Sequence, residues 1–531
     1  MDNNRTIIAV VLVVLLWSGY SLFFAPHAKP PQVATAENVT KDQPVKQEEK
    51  QITPHVDSST QDVSTSNEKE SFFNVSSDYY DIRISSIGAT ISSIVLKKYK
   101  ETNAADSPPF HLLDSQNFTL ATLKTSGSDG LYLPSNLNYK VLDNKESIEV
   151  KNDNVTVSFV ATINDLTVVK NYTFHPSSYS FDLDVQLINN SEKLVTGHLN
   201  LSLVSHWDKS SKARMYTFVG PVTYNGEELE EDKPASLGKS PKIYKKDIVW
   251  SGYMSKYFLN VVNPEEAPEE LFISAGDGFV ENKFTSSGIN LTKGQKTSFL
   301  YTAYFGPKQD EFLAASGHSF EKAIDYGFFH PLSKPLMVVL KFFYSFIGNY
   351  GISIILLTIC IKLIFWPLTQ KSYKSMQGMQ KLQPEMKKMR EKYGKDKQKL
   401  NQEMMGFYKE NKVNPLGGCL PMVIQIPVFF ALYRVLLGSI ELRHAPFMFW
   451  ITDLAAKDPY YVTPLIMGVT MFLQQKMTPT NMDPTQAKIM LMMPVVFTFM
   501  FLNFPAGLVL YWLTNNLLTI LQQYLIKRQS V

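Results

Sequence analysis

The chain has 531 residues, too many for one ordinary domain, and carries 52 Lys and Arg against 49 Asp and Glu. The resulting net charge of +3 gives no electrostatic case for nucleic acid as the main partner. Its two cysteines, Cys360 and Cys419, support neither a disulfide framework nor a metal cluster, and no cysteine follows the first hydrophobic segment to take a lipid anchor.

The average composition hides a sharp division, with a polar stretch over 25–330 and a strongly apolar one over most of 331–526. The N-terminus begins with Arg5 and the run "TIIAVVLVVLLWSGYSLFF", 6–24. About 19 residues at 1.5 Å rise reach nearly 30 Å, enough to span a bilayer. The exit "FFAPHAKP" lacks small residues at both positions of a cleavage site, which favours an uncleaved signal anchor over 1–24 against a removable signal peptide. From 25 to 71 there is no aromatic residue before Ser71 and abundant Gln, Glu, Lys, Thr, Ser and Pro, the composition of a flexible tether.

Period-two alternation follows. "YDIRISS", "VTVSFVATI", "LTVVKNYTF", "FDLDVQLI" and "HLNLSLVSH" read as strands, separated by turn residues such as "NDN", "HPSS" and "NNSE". The pattern runs to about Tyr304 and predicts an all-β domain over 72–330, too large for a seven-stranded module. In "PLSKPLMVVLKFFYSFIG", 331–348, Lys334 and Lys341 share one helical face and apolar residues fill the rest, the pattern of a helix lying in the membrane interface or of an ordinary packed helix.

Apolar spans are predicted at 350–369, 415–437, 460–476, 489–504 and 507–526, the last two separated only by "FPAG". With the first segment they make six. Between 370 and 412, twelve Lys and Arg face five acids, while the loop around 438–459 carries only Arg443 and Lys457. Positive-inside counting therefore puts 370–412, 477–488 and both termini in the cytoplasm and the β domain outside. Met376, Met379, Leu382, Met386, Met389 and Tyr393 recur every three or four residues, as do Leu400, Met404 and Phe407, and Gly394 divides them into two helices of a hairpin. These stripes either pack on each other or form an adaptable basic surface for a partner.

Lys362 stands inside "TICIKLIFWPLT", 358–369, nine residues before Lys371 and so roughly 14 Å from the cytoplasmic edge. A centred lysine costs about 2.5–3.5 kcal/mol to insert and needs compensation. The five later spans contain no Asp, Glu or His, only neutral polar residues such as Thr358, Gln425, Thr470, Tyr511, Asn515, Asn516, Gln522 and Gln523. An unpaired cation among such groups implies a hydrated cavity open to the cytoplasm, able to receive the acidic or polar flank of another polypeptide. A structural lysine bonded to Tyr, Thr or Gln is the competing reading. The anion site of a solute transporter is a third, although no internal repeat is visible.

The segments "NYGISIILLTICIKLIFWPLT", "NPLGGCLPMVIQIPVFFALYRVL", "ELRHAPFMFWITDLAAKDPYY", "PLIMGVTMFLQQKMTP" and "FPAGLVLYWLTNNLLTILQQ" closely resemble the YidC-type membrane protein insertases, in order, over 331–528. The resemblance implies a polytopic α-helical membrane protein whose five-helix core, 349–528, holds a hydrophilic groove closed on the outside. It also implies that the large extracytoplasmic domain, as in the Gram-negative branch, is a β supersandwich, a fold that keeps an outer-face enzyme or carbohydrate binder in view. Lys362 falls on the groove cation's position, Thr358, Gln425 and Trp512 on groove-lining positions, and Phe429, Met467, Met500 and Phe501 along an apolar path. The partners implied are nascent membrane proteins, the Sec translocon, the ribosome and signal-recognition targeting machinery at the cytoplasmic face, and lipid. No cofactor, metal or covalent chemistry is implied. Two departures stand out: the family's cation is commonly arginine, and "YW" at 511–512 replaces a frequent second tyrosine.

Overall fold

A computed structural model describes residues 70–529, apart from 116, 143–144, 208–216, 394–395, 412–419 and 479–483. The expected anchor at 6–24 and nearly all of the tether lie outside the described residues.

The alternating segments form strands from Phe72–Ser77 to Lys296–Pro307, arranged in sheets of five, nine and six strands. In the nine-stranded sheet Ser180–Asn189 pairs antiparallel with Leu166–Phe174 on one side and with the central strand, Lys296–Pro307, on the other. Its inward register is set by period two: in Leu166–Phe174 every odd step, Leu166, Val168, Lys170, Tyr172 and Phe174, is buried. Aromatic rings fill the space between sheets, with Tyr172 against Phe159 and Phe181 against Phe305.

Lys170 is the exception in that register. Its ammonium is fully buried and donates to the carbonyls of Gly88 at 3.0 Å and Leu123 at 2.8 Å. Both carbonyls come from residues with positive φ, so tight turns aim them inward. Gly88 has no freedom to change: its φ is +69° and an added Cβ would stand 2.6 Å from the Ser135 carbonyl.

Helices follow the strands. Helix α1 (Asp310–Ser316) packs Phe312 edge-on against Tyr79 and Tyr179 of the β domain. Helix α2 (His330–Ile347) leads through the left-handed Gly348 into α3 (Tyr350–Lys381), whose first turn is capped by the Asn349 side chain, which accepts from the Ile352 amide at 3.1 Å. The predicted span ended at 369, but the helix runs on to Lys381. Charge ends a membrane segment without ending a helix, and from Gln370 to Lys381 there is no proline and a single glycine, Gly378, which the helix tolerates. The hairpin consists of α4 (Gln383–Tyr393) and α5 (Lys397–Glu410), with Tyr408 reaching the Met386 sulfur at 3.6 Å.

The remaining helices are α6 (Leu420–Gly438), α7 (Val462–Met477), α8 (Pro484–Phe501) and α9 (Ala506–Gln529). Among the described residues, Tyr350–Lys381 alone is long and apolar enough by itself to cross a membrane, and Ile424–Gly438 and Met490–Phe501 are shorter apolar stretches. Helices α7 and α8 approach closely where Gly468 faces Thr498; a Cβ there would lie 2.1 Å from the threonine oxygen.

The β domain is fastened to the helices by polar contacts. Arg443, in the loop after α6, donates to the carbonyls of Lys100 and Glu101 at 2.6 and 3.2 Å and lies over the Phe110 ring. Asn103 donates to the Thr452 carbonyl at 2.7 Å. Lys341 of α2 bridges Glu311 of α1 at 2.9 Å and Glu441 at 2.7 Å. Burial holds the Glu441 carboxyl above its ordinary range even beside that ammonium.

Burial also pushes the Lys170 ammonium down to about 7, far below its unfolded value. Between those two values the unfolded chain holds a proton that the folded chain has released, so stability rises with pH above neutrality and is flat below it. Thermal unfolding of the full chain from pH 7 to 9 is expected to show this gain, at most about 1.4 kcal/mol per pH unit. Lys170→Met should remove that increment; an unchanged pH slope in the variant would sink the assignment.

Candidate functional site

Lys362 lies mid-way along α3, one turn after Thr358, so the two side chains share a face. Both are buried, and the Thr358 hydroxyl donates back to the Ile354 carbonyl at 2.6 Å. The Lys362 ammonium donates to Asn515 Oδ1 at 3.0 Å and to Thr519 Oγ1 at 2.8 Å, both on α9. Thr519 gives its own proton to the Asn515 carbonyl at 2.6 Å, which leaves its lone pairs facing the lysine. No carboxylate among the described residues pairs with Lys362. Hydrogen bonds to a charged group contribute about 1.5–3 kcal/mol each, so two of them match the insertion cost of a lysine without a counter-ion.

The acceptors belong to a polar stripe. Tyr511, Asn515, Thr519 and Gln522 recur at four, four and three residues and so line one face of α9. Gln425 of α6 donates to the Tyr511 hydroxyl at 2.6 Å, and Gln522 donates to the Trp366 carbonyl of α3 at 3.3 Å. This face therefore joins α3, α6 and α9. A second row, Asn516 and Gln523, turns to α7 and donates to Thr470 and Thr478 at 3.4 and 3.0 Å. The Oε1 atoms of Gln522 and Gln523 are buried with no hydrogen-bond partner among the described residues, near the C-terminal end of α9.

The structure thus gathers Thr358, Lys362 and Gln425 around one face of α9. Trp512 stands elsewhere. Its ring meets Phe429 at 4.9 Å, edge to face, and Phe501 at 5.3 Å, so it belongs with the apolar set. Met467 and Phe501 are fully buried, Phe429 is partly buried, and Met500 is exposed on the outer side of α8. Asn515, Thr519 and Tyr511 are the contacts that matter most to Lys362 and Gln425. Thr519 was legible only as the next step of the four-residue spacing from Tyr511 and Asn515. Among the described residues no group of three or more His, Cys, Asp and Glu is placed to hold a metal.

The stripe is positioned from its outer end. The first amides of α9 donate to the carbonyls of the loop before α7, Ala506 to Ala456 at 2.7 Å and Gly507 to Leu454 at 2.9 Å, which caps the helix start. Asp458 in that loop in turn accepts from Trp450 Nε1 at 3.0 Å and from the Thr463 amide at 2.8 Å at the start of α7. A double-mutant cycle of Lys362→Met and Thr519→Val, read by thermal unfolding of the detergent-solubilised chain, is expected to give a coupling of about 1 kcal/mol or more. Additivity to within about 0.5 kcal/mol would mean the contact contributes nothing.

The model of the family described as "60Kd inner membrane protein" matches residues 342–531, and that of the "YidC periplasmic domain" matches residues 73–339. The membrane protein insertase YidC of Geotalea uraniireducens (strain Rf4) is 43% identical over 533 residues, covering 99% of both chains. That of Citrifermentans bemidjiense is 45% identical over 469 residues, covering 86% of this chain and 85% of the other. The chain belongs to the YidC family of membrane protein insertases, inner-membrane proteins with a β-rich periplasmic domain whose work is insertion and not covalent catalysis.

Proposed function

We propose that the face shared by α3, α6 and α9 is a hydrophilic groove that takes the polar or acidic flank of a nascent membrane protein from the cytoplasm while its apolar segment leaves into lipid. Thr358, Lys362, Gln425 and Trp512 are the groove residues on this reading, and Phe429, Met467, Met500 and Phe501 mark the apolar path. The observation that carries it is the Lys362 ammonium, buried in a helix long enough to span and held by neutral oxygens alone. Neutral partners position a charge without cancelling it, so an arriving carboxylate meets the whole of it in a poorly screening medium. Trp512, ringed by Phe429 and Phe501, marks where polar groove gives way to apolar path.

The driving force is transfer of the substrate's apolar surface from water to hydrocarbon, about 25 cal/mol per Å². The groove shortens the hydrocarbon that the flank has to cross, and no covalent step is needed. The wider arrangement belongs to the same proposal: six spans, a signal anchor at 1–24, a tether over 25–71, a periplasmic domain over 72–330, an interfacial helix over 331–348 and a core over 349–528. Both termini and the 370–412 hairpin face the cytoplasm by the distribution of Lys and Arg. The basic hairpin is the surface offered to the ribosome and signal-recognition machinery, and the Sec translocon is the membrane partner.

In cells depleted of their own insertase and complemented with Lys362→Ala, Lys362→Glu or Lys362→Arg, protease protection scores insertion of a single-span protein with an acidic translocated tail beside one with a neutral tail. Ala and Glu are expected to slow the acidic substrate at least about tenfold, the equivalent of 1.4 kcal/mol, with Arg restoring it. Equal insertion of both substrates by all four proteins would leave Lys362 a structural residue.

A further inference from the structure

A cavity of about 100 Å³ lies where the β domain meets the outer ends of the helices. Its cations come from three elements: Lys256 from the turn after Trp250–Met254, Lys308 from the end of Lys296–Pro307, and Arg434 from the last turns of α6. Its carboxylates are Glu231, Asp310, Asp325 and Glu441. Glu441 is paired with Lys341 of α2 at 2.7 Å and Asp325 lies 3.7 Å from His330, so among the described residues the lining carries both signs of charge in near balance. A site balanced in this way repels a bare anion and a bare cation about equally and accommodates a molecule carrying one charge of each sign.

Lys308 is the side chain that asks for a ligand. Its backbone amide is fixed to the Tyr257 carbonyl at 2.7 Å, but its ammonium makes no hydrogen bond or ion pair with any described residue. Glu231 and Lys256 are its charged neighbours, at longer range. The side chain is partly buried, and that burial pushes its ammonium down to about 8 with no hydrogen-bond partner among the described residues to offset it. Glu231, across the cavity, also makes no side-chain bond among the described residues, and burial raises its carboxyl. Two opposite charges facing one space without touching leave room for a group that bridges them.

Surroundings identify the source. Met337 of α2 and Leu437 of α6 are the helical members of an apolar lining that also includes Leu229, Met254 and Ile324, and α2 carries exposed Leu332, Val338 and Phe342 on its outer faces. A soluble zwitterion gains nothing from such a helix, whereas acyl chains do. The geometry points to a binding site for the headgroup of a zwitterionic, phosphoethanolamine-type phospholipid of the outer leaflet, its phosphate on Lys308 and its ammonium toward Glu231. The lipid would bridge the periplasmic domain and the helices at a place the groove does not use.

Native mass spectrometry of the detergent-solubilised full chain, titrated with short-chain phosphatidylethanolamine, phosphatidylglycerol or inorganic phosphate, tests this. Phosphatidylethanolamine is expected to be retained in preference to the other two. Lys308→Met and Glu231→Gln should each weaken its retention about tenfold, the loss of one charge-assisted hydrogen bond, while Lys308→Arg stays within about threefold of the parent. Glu231 sits at the rim, so its variant keeps the test open if Lys308→Met unfolds. Equal retention by Glu231→Gln and the parent would overturn the assignment, as would phosphatidylglycerol or phosphate binding as tightly as phosphatidylethanolamine. Lys362→Ala should leave the retention unchanged, which separates this site from the insertion groove.

Discussion

A cation placed inside hydrocarbon has to be surrounded by oxygen atoms, and the helical half of this protein is arranged so that Lys362 is. Asn515 and Thr519 can serve it only if α9 presents one particular face to α3 at one particular height. The same rotation sets Tyr511 against Gln425 and Gln522 against the α3 backbone, so three helices share one solution. That height is fixed from outside, where the loop carbonyls of Leu454 and Ala456 receive the first amides of α9. The loop is held in turn by Asp458 and by Arg443, whose contacts reach the β domain. The polar stripe of α9 and the docking of the β domain are therefore two ends of one set of contacts.

Lys170 in the β domain meets the same difficulty in a different solvent. It too is buried without a carboxylate, and two carbonyls turned inward by positive-φ residues receive its ammonium. The difference is in what is left over. The carbonyls around Lys170 are packed in a closed core, where a further ligand has no way in. Lys362 sits among side-chain amides and hydroxyls on a helix surface, with the unpaired oxygens of Gln522 and Gln523 further along the same helix. One lysine is held by main-chain carbonyls inside a sheet core, and the other by side-chain oxygens of a neighbouring helix.

How much of this was readable in the residues differs by element. The strands were legible because a half-buried strand imposes a period of two, as "LTVVKNYTF" shows with one face wholly buried. The helices were legible because apolar runs of that length have few alternatives. Lys362 stood out because it broke such a run. Its partners did not stand out, since Asn515 and Thr519 are ordinary helical residues until α9 is rotated against α3, and rotation is a tertiary quantity. Trp512 was placed by its position in the matched motif, which carries no orientation; adjacent helical residues point about 100° apart, so Tyr511 meets Gln425 while the Trp512 ring meets Phe429 and Phe501. Lys170 and Lys308 gave no signal at all: a lysine at an inward position of a strand, or just after one, reads like any surface lysine.

Arg443 donates its hydrogen bonds to main-chain oxygens, those of Lys100 and Glu101, and meets that hairpin's side chains only through the Phe110 ring. Every amino acid at those two positions supplies the same carbonyls, so the hairpin tip can drift in sequence while the joint survives. The arginine cannot drift with it, because lysine lacks the flat guanidinium face that lies over Phe110 while one arginine nitrogen, Nη2, donates to both carbonyls. Evolutionary freedom at this joint is thus lopsided: variable on the periplasmic side, restricted on the membrane side. The two halves can diverge at different rates and still fit.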